Sequence, residues 1–260
     1  MEHNASNNLV NVNGKELFVT LYQPYKNRPT LVFLHDSLGC ITLWRDFPMK
    51  LGKLTNCNVM VYDREGYGKS QSFSNPERDN FYLEKEAAIL NYLLDELNIT
   101  DALLFGHSDG GSIALLTASN YPSKIKGVIT EGAHVFVEYV TLKGINEAIE
   151  AYHNTDLVAR LKKYHGENTE AMFWAWAKTW NTEAFRSWNI ESFLSKIKCP
   201  CLIMQGEDDE YGTLFQVESI VNQVNGTSEK LILPKVKHNP HKEAPELVLK
   251  ACQEFITKIG

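Results

Sequence analysis

The chain has 260 residues, 43% of them hydrophobic and 22% charged, with a formal net charge of -6. A chain of this length buries enough core to fold without disulfides or a structural metal. Its pI near 5.8, with no cluster of Lys and Arg to neutralise phosphates, argues against nucleic acid as a partner.

The five cysteines, Cys40, Cys57, Cys199, Cys201 and Cys252, are scattered. Cys199-Pro200-Cys201 is too tightly spaced for a zinc knuckle and has no second pair, so reduced, mostly buried thiols are expected, with no metal and no cofactor. The N-terminal MEHNASNNLVNVNG has neither a basic leader nor an apolar stretch. No run approaches the roughly 18 apolar residues a membrane span needs. A cytoplasmic location is expected, and the Asn-x-Ser/Thr sequons at Asn4, Asn98 and Asn225 carry no weight there.

In chain order, Asn13-Gly14 between LVNV and KELFVTLY predicts a hairpin. TLVFLH (30–35) is a continuous apolar run, the mark of a strand covered on both faces. Runs of the same kind recur at NVMVYD, DALLFG, IKGVIT, CLIMQG and EKLILP. Helical patterns fall between most of them, over 42–54, 80–97, 110–121, 213–224 and 241–258. Strands alternating with helices specify an α/β fold, a mostly parallel central sheet with helices on both faces.

One interval breaks the alternation. Residues 134–197, after the sixth strand, show helical spacing and no convincing strand, and hold four of the five tryptophans. Phe173, Trp176 and Trp180 fall on one helical face, with Trp174 and Trp188 nearby. Such a stripe packs helices together in the plainer reading. As a group, these residues suggest a helical cap (134–197) over a core domain formed by 1–133 and 198–260. The C-terminal edge that it would cover is where open α/β sheets bind ligands.

GHSDGG (106–111) follows the run DALLF and precedes a helical pattern. A serine hydroxyl is a poor nucleophile without a base, a group that orients the base and donors for the oxyanion. Gly106-x-Ser108-x-Gly110 fits a strand-to-helix turn that exposes its serine. A Gly-rich turn with a passive serine is the rival reading, and a phosphate loop is less favoured still because no Gly-Lys-Ser/Thr follows. An acid is expected after a later strand, and QGEDDEYG offers Asp209, with Asp208 as the fallback. The base is expected last. PKVKHNPH offers His238 in a loop, and His241 as an exposed residue at the start of the terminal helix. His107 reads as a neighbour lining the turn.

LVFLHDSLG, VYDREGYGKS, GHSDGG, QGEDDEYG and HNPHKEAPELV together resemble the successive motifs of the α/β-hydrolase superfamily, over about residues 9–258. More narrowly, the chain is similar to single-domain hydrolases with a helical cap, a group of esterases, lactonases and carbon–carbon bond hydrolases. The resemblance implies Ser108 as nucleophile, Asp209 as acid, His238 as base, and an oxyanion hole from the main-chain N–H groups of Ser37 and Asp109. It also implies that DREGYGKS is a structural turn. Serine at the elbow speaks against haloalkane and epoxide chemistry, which uses aspartate there. Two departures stand out: His35-Asp36 replaces the family's His-Gly, and Lys237 replaces a glycine before the histidine.

The expected function is therefore hydrolysis of a small carboxylic ester, thioester or lactone through an acyl-enzyme. The alternatives are carbon–carbon cleavage, a lyase step or cofactor-free perhydrolysis with the same residues, and a non-catalytic receptor. Asp36, Phe136, Tyr139, Trp174, Trp176 and Trp180 are the expected pocket, suited to an apolar or aromatic small-molecule acyl substrate. Oligomeric state is not legible in the sequence.

Overall fold

The computed structural model describes residues 5–260, so the sequon at Asn4 lies outside the described residues. Eight strands form one sheet in the order β1-β2-β4-β3-β5-β6-β7-β8. β1 (Ala5–Val12) and β2 (Lys15–Tyr22) are the antiparallel hairpin, closed by Asn13 and Gly14 at φ 51 and 82. Positive φ at both central residues is what a tight hairpin turn of the primed type demands. β2 pairs antiparallel with β4 (Asn58–Tyr62).

From β4 onward the sheet is parallel, through β3 (Thr30–Leu34), β5 (Ala102–His107), β6 (Ile125–Glu131), β7 (Cys201–Gly206) and β8 (Ser228–Leu233). Every residue of β3, β4, β5 and β7 is buried. That is why these strands read as unbroken apolar runs, with no polar face to interrupt them.

Helices cover both faces. α1 (Phe47–Thr55) and α10 (Pro245–Ile259), which follows the single turn α9 (Pro240–Glu243), pack on one, where Phe47, Leu51, Leu249 and Phe255 join Phe33 and Phe105 in a single cluster. α10 buries Val248, Leu249, Cys252, Phe255 and Ile256, the stripe of a one-sided helix. On the other face lie α2 (Tyr82–Glu96), α3 (Asp109–Asn120) and α8 (Leu214–Gln223), with Leu90, Ile113, Leu116 and Val217 against Val32 and Leu104.

Between β6 and β7 run α4 (Tyr139–Asn154), α5 (Leu157–His165), α6 (Thr169–Asn181) and the short α7 (Glu191–Leu194). Phe173, Trp176 and Trp180 of α6 belong to the same hydrophobic cluster as α2 and α3. Trp180 packs on Phe185 and Trp188 at centroid distances of 4.9 and 5.7 Å, and its indole N–H donates to the Tyr82 hydroxyl at 2.8 Å. The insert therefore shares its core with the sheet. The five cysteines are free, all buried except the half-buried Cys199. No described helix is long and apolar enough to cross a membrane.

Because Trp180 fills this shared core, Trp180→Ala should lower the unfolding free energy by about 3–5 kcal/mol in denaturant titration. A loss within about 1 kcal/mol would show that the insert packs independently.

Candidate active site

β5 ends at His107 and α3 begins at Asp109, leaving Ser108 alone in the turn at φ 54 and ψ -120. A residue with a side chain held there is strained by about 1–3 kcal/mol. The cause lies in its neighbours. A Cβ on Gly106 would stand 2.2 Å from the Gly110 carbonyl oxygen, and one on Gly110 would stand 2.1 Å from that of Leu34. Only glycine lets the strand, the helix start and β3 come this close. The Ser108 N–H donates to the Glu131 carbonyl at 2.9 Å, and its side chain makes no capping bond to α3.

Ser108 lines a cavity of about 200 Å³ together with Asp109, Ser37, Asp36 and His238. Thr141, Ile145, Trp176 and Trp180 bring α4 and α6 to the same cavity. A wider cleft of about 630 Å³ opens elsewhere, against Arg28, Asn58, Asp101 and Lys126, far from this group. Among the described residues, neither the Ser37 nor the Asp109 main-chain N–H finds a hydrogen-bond acceptor. Ser37 and Asp109 are both buried.

The His238 Nδ1–H donates to both Asp209 carboxylate oxygens at 2.9 Å. With the proton on Nδ1, a neutral ring keeps its Nε2 lone pair. Asp209 Oδ1 also accepts from the N–H groups of Tyr211 and Gly212, at 2.8 and 3.3 Å. Asp208, the fallback, is exposed. Burial opposes charge on His238, but Asp209, with Asp36 and Glu210 beyond it, outweighs burial and holds its pKa above the ordinary value. Burial likewise pushes Asp209 up, and His238 more than offsets it, leaving the carboxyl below its usual range.

Carboxylates also hold the loop around His238. Glu243 accepts the N–H groups of Lys237 and Asn239 at 2.9 and 3.1 Å, and Glu210 accepts that of His238 at 3.3 Å. His107, read from sequence as a bystander, is buried and donates its Nε2–H to the His238 carbonyl at 2.7 Å. Burial pulls its pKa down to about 4, so it stays neutral. His241 corrects another expectation. It is buried rather than exposed, and it hydrogen-bonds through its main-chain N–H and its Nδ1 to Glu131. Among the described residues, His107, Glu131 and His241 are also the one group whose donor atoms lie close enough to hold a metal ion. Two of those donors are already spent on each other.

Three expected pocket residues lie away from the cavity. Tyr139 is 83% exposed at the start of α4, on an outer groove with Arg186. Phe136 faces a shallow surface cleft with Phe215. Trp174 packs between α4 and α6, against Tyr152 and His153. Helical spacing gives the period of a stripe but not which side faces the cavity.

Sequence reading missed the layer beneath the elbow. Arg64 is buried in DREGYGKS, donates Nη2 to the Asp36 carbonyl at 2.8 Å and brings Nη1 to 3.7 Å from Asp109 Oδ2. The Tyr82 hydroxyl donates to the same Asp109 oxygen at 2.9 Å. The only signal of this layer is Arg64 itself, inside a motif read as a structural turn.

The sequence model of the alpha/beta hydrolase fold matches residues 29–189. The chain belongs to the α/β-hydrolase fold family. It is 28% identical over 214 residues to the human serine hydrolase BPHL, covering 76% of this chain and 69% of that one. It is 27% identical over 239 residues to a 2-hydroxy-6-oxononadienedioate/2-hydroxy-6-oxononatrienedioate hydrolase of Burkholderia vietnamiensis, covering 80% and 81%. Among solved structures, the enol-lactonase of Burkholderia xenovorans LB400 superposes with a TM-score of 0.76 at 19% identity, over 96% of this chain and all of that one, a likeness of fold. This α/β hydrolase thus has hydrolases as relatives and takes a small-molecule substrate.

If the strain at Ser108 is as the geometry shows, Ser108→Gly should be about 1 kcal/mol more stable than Ser108→Ala in denaturant titration, strain relief exceeding glycine's added chain entropy. A Ser108→Gly variant less stable than Ser108→Ala by about 0.5–1 kcal/mol, glycine's entropy cost alone, would mean an unstrained elbow.

Proposed function

We propose that this α/β hydrolase is a serine hydrolase of the carboxylesterase type, cleaving a small ester, thioester or lactone through an acyl-enzyme on Ser108. The observation that carries the reading is the His238–Asp209 pair, held at 2.9 Å to both carboxylate oxygens in the cavity that Ser108 lines. In this reading His238 Nε2 takes the Ser108 proton as the hydroxyl oxygen attacks the carbonyl carbon. Asp209 stabilises the resulting imidazolium. The Ser37 and Asp109 N–H groups receive the oxyanion, each worth roughly 100- to 1,000-fold in rate. Collapse expels the alcohol or thiol with the proton from His238. Water, activated by the same ring, then releases the acid.

The segment 134–197 acts in this reading as a cap on the core formed by 1–133 and 198–260. Trp176 and Trp180 supply the apolar wall of the acyl pocket. At about 200 Å³ the cavity is smaller than the roughly 300–1,000 Å³ of drug-sized sites, which favours a short acyl group.

Carbon–carbon cleavage of a dicarboxylate, as the Burkholderia vietnamiensis relative's name describes, is less favoured by the lining. Among the described residues, no Lys or Arg lines the cavity, whereas Asp36, Asp109 and Glu210 do. The two carboxylates of a dioate would meet carboxylates with no cation between them.

Two experiments test the proposal. A fluorophosphonate should label the wild type and leave Ser108→Ala unlabelled; an unlabelled wild type would favour a receptor. The pH profile adds the sign. Catalysis needs His238 neutral and its pKa is raised, so kcat/KM for an aryl ester should fall as pH drops through a value above about 6.5. Asp209→Asn should cut kcat by about 10⁴-fold. A rate that stays flat down to pH 5 would remove His238 as the base.

A further inference from the structure

Glu131 ends β6 in full burial and does not itself line the cavity. It nevertheless holds both halves of the site. Its carbonyl accepts the Ser108 N–H at 2.9 Å. Its carboxylate reaches across 110 residues of sequence, where Oε2 accepts the His241 N–H at 3.0 Å and Oε1 accepts the His241 Nδ1–H. A second link runs in parallel, from His107 Nε2 to the His238 carbonyl at 2.7 Å. One link is rooted in the residue before Ser108 and the other in the residue that fixes the Ser108 N–H. They land three residues apart, on either end of the segment 238–241.

The N–H groups of that segment are held from outside it. It follows β8, contains Pro240, and borrows acceptors for its remaining N–H groups from Glu210, Glu243 and Glu131. Glu210 and Glu243 are surface groups, exposed to water and free to exchange. Glu131 is dry. Trp44 lies on the His241 ring at 4.5 Å and Phe47 at 5.7 Å, so the ring has little room to turn. A buried carboxylate with both oxygens engaged is a short, stiff tether, because releasing either bond leaves a desolvated charge without a partner.

We propose that Glu131, acting through His241 and seconded by His107, is a positioning residue that sets the distance from Ser108 to His238. It contacts neither the substrate nor the reacting atoms. The inference rests on the proposed serine-hydrolase reaction, and it predicts a loss in kcat rather than in substrate binding. Displacing a reacting group by about 1 Å costs on the order of 100-fold in rate.

The test compares folded variants by kcat and KM on a short aryl ester, with fluorophosphonate labelling rates measured alongside. Glu131→Gln keeps the side chain's size but turns an N–H₂ toward one of the two His241 donors. It should lose about 100-fold in kcat with KM within about threefold of wild type, and labelling should slow in parallel. His241→Asn keeps a side-chain donor for Glu131 and should retain most of the activity, while His241→Phe, which packs on Trp44 and keeps only the main-chain N–H as donor, should not. The double variant Glu131→Gln/His241→Phe should cost little more than either single change, as one tether predicts. Should Glu131→Gln fail to fold, His107 carries the same question: His107→Gln can still donate to the His238 carbonyl, and its kcat should exceed that of His107→Phe by about tenfold or more.

A folded Glu131→Gln with kcat near wild type, or a His107→Gln no better than His107→Phe, overturns the inference. Wild-type protein that neither labels nor turns over esters would instead sink the serine-hydrolase reading itself, so the two failures are distinguishable.

Discussion

At the turn from β5 into α3, main-chain atoms of three elements meet with no room for a side chain: Gly106 against Gly110, and Gly110 against Leu34 at the end of β3. That contact fixes the angle between the central strand and the helix, and one residue, Ser108, absorbs the mismatch at φ 54. The strain is tolerated because the strands on both sides are buried throughout and cannot yield. The same contact sends His107 toward the His238 loop and sets Asp109 at the helix start over Arg64 and Tyr82. The cavity, the loops around it and the wall from the insert are arranged about this one turn.

Burial alone would leave a histidine neutral. It does so at His35, His107, His134 and His165, each pushed below its ordinary pKa chiefly by desolvation. His238 is equally buried and goes the other way, because Asp209 meets its Nδ1 with both oxygens. The contrast lies in the partner and not in the depth. Neutral His107 can still donate to a carbonyl, and neutral His165 can accept the Gly68 N–H at 3.0 Å while donating to the Leu38 carbonyl at 3.1 Å. Of these five, His238 alone is poised in the proposed reaction to take up and return a proton near neutral pH, which is the pattern expected where titration serves chemistry.

The fold was largely legible because its signals are local. Doubly covered strands such as TLVFL must be apolar at every position, and Asn13-Gly14 has the backbone freedom that its turn requires. The elbow was legible for the same reason, since a near-contact of main chains can be written only in glycine. Asp209 was read from an acid cluster after a strand and from the resemblance, and it lies against His238. Partners across the fold were not legible. Nothing near His241 announces Glu131, and a histidine beside a proline at a helix start is more often wet than dry. Tyr139 was misplaced because helical spacing gives a period without a phase; its face is settled only when α4 docks, and Tyr139 then points to water. Arg64 sits in a turn whose glycines drew the eye, while its role depends on Asp109 and the Asp36 carbonyl meeting above it.

The central claim is a covalent acyl group on Ser108, a species that direct attack of water on the substrate never forms. Intact-protein mass spectrometry, on samples quenched in acid during turnover of a slowly deacylating aryl ester, looks for it directly. The predicted result is a mass gain equal to the acyl group, found by fragmentation on Ser108 and absent from Ser108→Ala. Steady turnover with no adduct, or with the adduct on another residue, would contradict it.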